Sequence, residues 1–345
     1  MKILVTGTEG YIGTRLAPLL MADGHEVVGL DTGYYRDGWL YSPALQPYVT
    51  PRQLVMDLRE VTPRTFEGYD AVVHLAELSN DPLGENKPEV TYKINHEGSV
   101  NIAKCAKAAG VTRFVYASSC SVYGLGSGEW LDEKSPPNPQ TAYARCKVMV
   151  ERDVTPLGDK SFSVTFLRNA TAYGASPRMR FDIVINDLSG LAWTRKKIAM
   201  TSDGSPWRPV VHVEDISRAV REVLKAPTSA VNGEVFNVGS NGENYRVREI
   251  AETIGRVFPG CEVTIGTSVG DNRSYRVNFD KIHKHLPNFR CEWTAEKGAA
   301  ELRALFERIE MSPDTFQFRA FTRLKQLRYL SDSGQLDDEF RWKAS

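Results

Sequence analysis

Tyr143 and Lys147 stand four residues apart in Thr141-Ala142-Tyr143-Ala144-Arg145-Cys146-Lys147. On a helix that spacing puts both side chains on one face. A tyrosine hydroxyl is a poor base at its ordinary pKa of about 10. A cation one turn away stabilises the phenolate and draws it towards neutral pH. Taken alone, such a pair is surface decoration in most proteins. Here it follows Val115-Tyr116-Ala117-Ser118-Ser119-Cys120, and the chain opens with a glycine-rich signature. Those three features in that order point to proton transfer beside a bound dinucleotide.

The signature is Gly7-Thr8-Glu9-Gly10-Tyr11-Ile12-Gly13, placed after an apolar stretch that reads as a strand and before a segment that reads as a helix. Gly7 permits a tight turn, Gly10 lets the backbone approach a pyrophosphate, and Gly13 lets the helix pack closely on the sheet. An acidic residue stands near the required distance: Asp31, ending Glu26-Val27-Val28-Gly29-Leu30. A carboxylate there accepts both ribose hydroxyls and repels a 2′-phosphate, which favours NAD over NADP. Arg15 and Arg36 lie close in sequence and leave NADP open as the alternative.

Strands are expected near 2–6, 26–30, 53–56, 70–75, 112–117 and 163–167, with helices near 11–22, 89–109 and 140–155. This alternation predicts an α/β fold, a Rossmann-type doubly wound parallel sheet with ligands at the carboxyl ends of its strands. Pro209–Val213 and Glu234–Val238 read as returns to the same sheet or its edge. Segment 124–139, rich in Gly and Pro, reads as a loop bordering a site. Residues 1–170 with 208–240 are expected to form the dinucleotide-binding domain. Residues 171–207 with 241–310 are expected to form a smaller C-terminal substrate-binding lobe. Residues 311–345 form a polar helical tail carrying Phe316, Phe318, Phe321, Leu324, Leu327 and Leu330; it either packs on the lobe or joins a dimer contact.

Lys+Arg and Asp+Glu both number 43 in 345 residues, so the formal charge is zero. That balance argues against a dedicated nucleic-acid or membrane-surface binder. The five cysteines show no paired metal-ligand spacing, and their odd count fits reduced thiols. No apolar run approaches the roughly 18 residues of a membrane span, and Met1–Val5 is too short for a signal peptide. A cytoplasmic protein without a metal is expected.

From Met1 to about Asp280 the chain resembles the extended short-chain dehydrogenase/reductases, in the branch of the nucleotide-sugar epimerases and dehydratases. In that family the tyrosine of Tyr-x-x-x-Lys removes a sugar hydroxyl proton while hydride leaves the same carbon for NAD. The resemblance makes Tyr143 that tyrosine, Lys147 the lysine that also holds the nicotinamide ribose, and Ser119, three residues before Val122-Tyr123-Gly124, their hydroxyl partner. It implies cofactor contacts at Gly7, Gly10, Tyr11, Ile12, Gly13 and Asp31, at Asp57 and Leu58 beside adenine, and at Leu75, Ala76, Asn95 and Asn169. It implies substrate contacts at Ser119, Thr171, Asn186 and Arg208, and at Arg273 in Gly270-Asp271-Asn272-Arg273. A guanidinium suits the diphosphate of a nucleotide sugar because it pairs with two phosphate oxygens. His212 is expected to be structural, and the family suggests a homodimer.

The chain departs from the family pattern at several points. Thr171 stands where many members have asparagine, and Ser268 where an arginine is common. Glu77 replaces a small residue, placing a carboxylate near the expected sugar pocket as a salt-bridge partner or a substrate selector. Cys120 and Ser121 occupy the positions of the Asp-Glu pair of the 4,6-dehydratases, and a glutamate found in decarboxylating members is absent at Ser121. Cysteine and serine cannot supply that carboxylate chemistry, so Cys120 is expected to be a buried small residue. The expected reaction is oxidation of the sugar at C4 and return of hydride to the other face, an epimerisation. A net dehydrogenase or keto-sugar reductase is the alternative, and a non-catalytic dinucleotide sensor a remote one.

Overall fold

A computed structural model of the chain describes residues 1–41, 50–79, 81–268 and 273–343. Seven parallel strands form the central sheet: β1 (Lys2–Thr6), β2 (Glu26–Asp31), β3 (Arg52–Val55), β4 (Ala71–His74), β5 (Arg113–Ser119), β6 (Ser163–Asn169) and β7 (Glu234–Val238). Their spatial order is β7-β6-β5-β4-β1-β2-β3. The direction of winding reverses between β1 and β4, where Ile3 pairs with both Val27 and Ala71. That reversal opens a crevice at the carboxyl ends of the strands. Inner strands such as β4 and β6 are buried along their whole length, as parallel strands covered on both faces must be.

Helices cover the two faces. On one, Leu16 and Leu20 of α1 (Gly13–Ala22) pack with Ile216, Val220 and Val223 from a later helix, Val213–Lys225. On the other, Ile102 and Ala106 of α2 (Ser99–Ala108) pack with Val150 and Val154 of α3 (Ala142–Val154). The long helix expected at 89–109 is a continuous helical run from Pro88 to Ala108, widened into a π-helical turn over Tyr92–Gly98. Thr141 caps α3 by accepting from the Ala144 N–H at 3.2 Å. That cap starts the helix two residues before Tyr143.

A third apolar cluster joins the helices Val184–Arg195, Val247–Val257 and Ala295–Arg308 through Ile185, Ile250, Ile254, Leu302 and Phe306. The tail divides between cores: Phe316 and Phe321 enter this third cluster, while Leu327, Leu330, Leu336 and Phe340 pack with Tyr34 and Leu58. The tail therefore lies against the first half of the sheet as well as the lobe.

Two expectations need correcting. The Pro209–Val213 strand does not return to the main sheet. The chain ends β6 at Asn169, Ala170 donates its N–H to Val238, and Thr171–Tyr173 takes Trp207–His212 as a new parallel partner. Asn244–Arg246 completes this second sheet from the other side. The expected loop at 124–139 contains a strand, Leu125–Leu131, paired in parallel with Ser274–Val277. A partner so distant leaves no local signal in a Gly-rich stretch.

Candidate active site

The glycine loop joins the end of β1 to α1, and its backbone is held closed by the Gly10 N–H on Gly7 O at 3.0 Å. Gly7 has φ +75°, and a Cβ there would stand 2.9 Å from the Ala76 nitrogen. A Cβ on Gly13 would stand 2.2 Å from Gly7 O. Both positions therefore require glycine, one for conformation and one for close approach. Gly7, Gly10, Tyr11, Ile12, Gly13, Asp31, Asp57, Leu58, Leu75 and Ala76 all line one cavity. The Asp31 carboxylate there accepts the Glu9 N–H at 3.0 Å and the Gly33 N–H at 2.7 Å. Burial raises its pKa, and those two N–H groups work the other way. Of the two arginines that left NADP open, Arg15 pairs with Glu214 and Arg36 lies beside the Trp342 ring. Neither lines this cavity.

A second cavity of about 480 Å³ adjoins the first, sharing Ile12, Leu75, Glu77, Ser79, Ala172 and Arg180 with it. Ser119, Tyr143, Lys147, Asn169, Thr171, Arg208 and Arg273 line it. Three elements bring the reactive groups together: β5 ends at Ser119, α3 presents Tyr143 and Lys147, and β6 ends at Asn169. The Ser119 hydroxyl accepts the Ser121 N–H at 3.1 Å and lies close enough to Tyr143 to draw its phenol pKa down. In the same lining, Arg208 donates to the Arg273 carbonyl and Arg273 pairs with Asp81. Residues 270–272 of the late motif lie outside the described residues.

The Lys147 ammonium is 4% exposed and lies 2.6 Å from the Glu77 carboxylate. It also donates to the Ala117 carbonyl and stands over the Tyr116 and Tyr143 rings at 4.6 and 5.3 Å. The other Glu77 oxygen accepts from the Tyr116 hydroxyl and, at 3.3 Å, from the Ser99 hydroxyl. Burial alone would pull the lysine down, but Glu77 and Tyr143 carry it above its ordinary value. Burial raises the Glu77 carboxyl, while Lys147, Tyr116 and Ser99 draw it back. An ammonium at 2.6 Å makes this a charged pair. Tyr143 itself is raised, first by burial and further by Glu77 and Asp81, against the downward pull of Lys147. A sequence reading that counted only the lysine had the opposite sign.

Two residues expected at the ligands sit elsewhere. Asn95 is fully buried beneath the cofactor cavity, where its amide accepts the Leu78 N–H at 2.9 Å and donates to the Leu78 carbonyl at 3.0 Å. It fixes the turn that carries Leu75 and Ala76. Asn186, also fully buried, accepts the Gly174 N–H at 3.0 Å and donates to the Tyr11 hydroxyl at 3.2 Å. Neither lines either cavity. His212 is fully buried, stacked on Trp293 with ring centroids 4.0 Å apart. Cys120 is 1% exposed and its thiol is raised by burial.

Sequence reasoning missed Arg180 and Glu151. Arg180 lines both cavities, holds Asp182 through Nε at 2.8 Å, and has a buried Nη2 with no hydrogen-bond partner among the described residues. No motif marks it. Glu151 lies one turn beyond Lys147 on the same face of α3 and binds Arg168 on β6 at 2.6 Å. Its spacing from Tyr143 and Lys147, eight and four residues, was visible.

The residues present fit a dinucleotide. The helix N-terminus behind Gly10 supplies N–H groups for a diphosphate, Arg180 lines both cavities and has one buried N–H that no described residue accepts, and Asp31 suits a ribose. Residues 3–239 match the model of the NAD dependent epimerase/dehydratase family. The chain belongs to that family, and it is an enzyme whose cofactor is NAD. A UDP-glucose 4-epimerase of Corynebacterium glutamicum is 26% identical over 329 residues, covering 89% of this chain and 94% of that protein. TunA, an NAD dependent NDP-hexosamine 5,6-dehydratase of tunicamycin biosynthesis, superposes with a TM-score of 0.77 at 23% identity, over 89% of this chain and 98% of TunA. MoeE5 in complex with UDP-glucuronic acid and NAD gives 0.74 at 26% identity, over 89% and 99%. Among the described residues no helix is long and apolar enough to cross a membrane.

Proposed function

We propose that this enzyme oxidises a nucleotide-diphosphate sugar reversibly at C4 and works as an epimerase through a keto-sugar. The carrying observation is the meeting of Ser119, Tyr143 and Lys147 in one cavity that Arg208 and Arg273 also line. The two guanidinium groups suit the substrate diphosphate, and that anchorage would leave the sugar beside Ser119 and Tyr143. C4-epimerase relatives and a neighbour holding UDP-glucuronic acid support this reading. Cys120 and Ser121 speak against 4,6-dehydration, since neither side chain can perform carboxylate acid-base work.

NAD, when bound, accepts and returns the hydride. Tyr143 takes the proton of the C4 hydroxyl as the carbon is oxidised, and Ser119 steadies the same oxygen by a hydrogen bond. Lys147 keeps positive charge beneath the phenol. In the return step Tyr143 gives the proton back to the oxygen of the turned keto-sugar. Asp31 would hold the adenosine ribose and Arg180 the cofactor diphosphate, while apolar Ile12, Leu75 and Ala172 exclude water from the joint between the cavities.

The test is a screen of UDP- and dTDP-sugars for epimer formation by wild type and by Tyr143→Phe, with retained NAD(H) counted after denaturation. The expected result is an epimer from wild type, none from the variant, and equal cofactor in both. Wild-type turnover in Tyr143→Phe would sink the mechanism. Stoichiometric release of NADH with an oxidised product would replace epimerase by net dehydrogenase.

A further inference from the structure

The least expected charge in the site is Glu77. It is 2% exposed in its side chain, 2.6 Å from the catalytic-site lysine, and at the junction of the two cavities. We propose that Glu77 is a positioning residue that serves as the built-in counter-ion of Lys147 and thereby holds Tyr143 in the site as a neutral phenol. The argument is one of charge count. In a low-dielectric interior, clusters with net charge are costly and paired ones are not. With Glu77 ionised and Lys147 protonated, the cluster is neutral when Tyr143 keeps its proton. Without the Glu77 charge, the same neutrality is reached by Tyr143 giving its proton up.

The other charges facing the cluster are already matched. Asp81 is bound by Arg273 and by the Thr141 hydroxyl at 2.5 Å. Glu151 is bound by Arg168 and Arg180 by Asp182. His74 is neutral, its pKa lowered to about 3 by burial and by Lys147. Cys146 is pushed up to about 12 by burial and is a neutral thiol. Tyr116 is a phenol donating to Glu77. Glu77 is therefore the group whose charge decides the balance.

The consequence, resting on the reading above for the identity of the accepting oxygen, is a site poised for the reductive half-reaction. There the keto carbon receives hydride, and its oxygen receives the Tyr143 proton, leaving the tyrosinate. Oxidation needs Tyr143 to have lost that proton to solvent before it can take the C4 hydroxyl proton, so this half-reaction requires higher pH.

Tyrosinate absorbance tests the proposal without a substrate. Titrating wild type against Tyr143→Phe isolates Tyr143, and the same difference is taken in the Glu77→Gln background. The Tyr143 midpoint should fall by about one pH unit or more when Glu77 loses its charge, and by Lys147→Met alone it should rise by a similar amount. In Glu77→Gln/Lys147→Met, which removes the pair as a whole, the midpoint should return towards the wild-type value. An unchanged or raised midpoint in Glu77→Gln would overturn the proposal. Should Glu77→Gln fail to fold, no rise in Lys147→Met would overturn it equally. The pH profile of kcat/KM, measured on whichever sugar is turned over, should move with the midpoint. Failure to find a sugar substrate leaves the absorbance result standing, so the two readings fail separately.

Discussion

Glu151 and Arg168 tie α3 to the strand beside it, and breaking the pair should cost far more than removing it whole. Arg168 Nη2 lies 2.6 Å from one carboxylate oxygen and Nε 3.0 Å from the other. Ser118 adds a hydrogen bond at 2.5 Å, and Arg168 Nη1 donates to the Tyr123 hydroxyl at 3.0 Å. The two side chains are 6% and 9% exposed. Glu151→Met leaves a buried guanidinium with no counter-ion, a loss of about 3–5 kcal/mol. With an unfolding entropy of about 2.1 cal/mol/K per residue, 345 residues give about 0.7 kcal/mol/K. The melting temperature should then fall by about 4–7 °C. Glu151→Met/Arg168→Met replaces the pair with apolar chains of similar reach and should recover most of that loss. Scanning calorimetry of the three proteins at one pH and cofactor concentration decides it. A double variant as unstable as Glu151→Met would refute the account, because the loss would then arise from packing rather than from an unmatched charge.

The pH dependence of stability should carry a contribution from His74. Its folded pKa of about 3 lies below the ordinary histidine value, so between about pH 6 and 3 the unfolded chain binds a proton that the native state refuses. Stability from this group is complete above the unfolded pKa and declines by up to about 1.4 kcal/mol per unit as pH falls through that window. Urea midpoints at several pH values should show a shallower acid decline in His74→Gln, and equal slopes would exclude the histidine as its source. Arg180→Met should lower cofactor affinity about tenfold or more, the scale of a charged hydrogen bond, and should also lower the melting temperature of the cofactor-stripped protein, because the buried Asp182 carboxylate loses the guanidinium 2.8 Å away. Unaltered NAD affinity by calorimetric titration would remove Arg180 from the cofactor site.

The fold was legible because its signals are local. The β-branched runs at 2–6 and 163–167 needed no knowledge of their neighbours, and Gly10 and Gly13 report contacts with Gly7 inside one turn, although Gly7 also abuts Ala76. The cap at Thr141 and the Tyr143–Lys147 face are likewise set inside one helix. What escaped depends on partners far away in sequence. Leu125–Leu131 becomes a strand only because Ser274–Val277 lies beside it. Trp207–His212 leaves the main sheet because the chain turns at Ala170. The tail residues Leu327 and Phe340 find their places against Leu58 and Tyr34, some 270 to 300 positions earlier.

The same distinction explains the sign of the Tyr143 shift. A Tyr–Lys pair read along a helix predicts a lowered phenol, since only the lysine is in view. The carboxylate that matches the lysine comes from the turn after β4, and the burial of Tyr143 arises only once the chain has folded. Glu77 was visible as an unusual residue, but its place 2.6 Å from Nζ was not. Relatives can therefore share the reacting pair and still differ in which direction of proton transfer it favours. The residues that set this balance sit on the βα turns, whose side chains meet only after the sheet has formed. In this chain the turn after β4 contributes a carboxylate and the turn after β5 contributes Cys120 and Ser121. The first sets a charge 2.6 Å from Lys147, and the second carries no carboxylate.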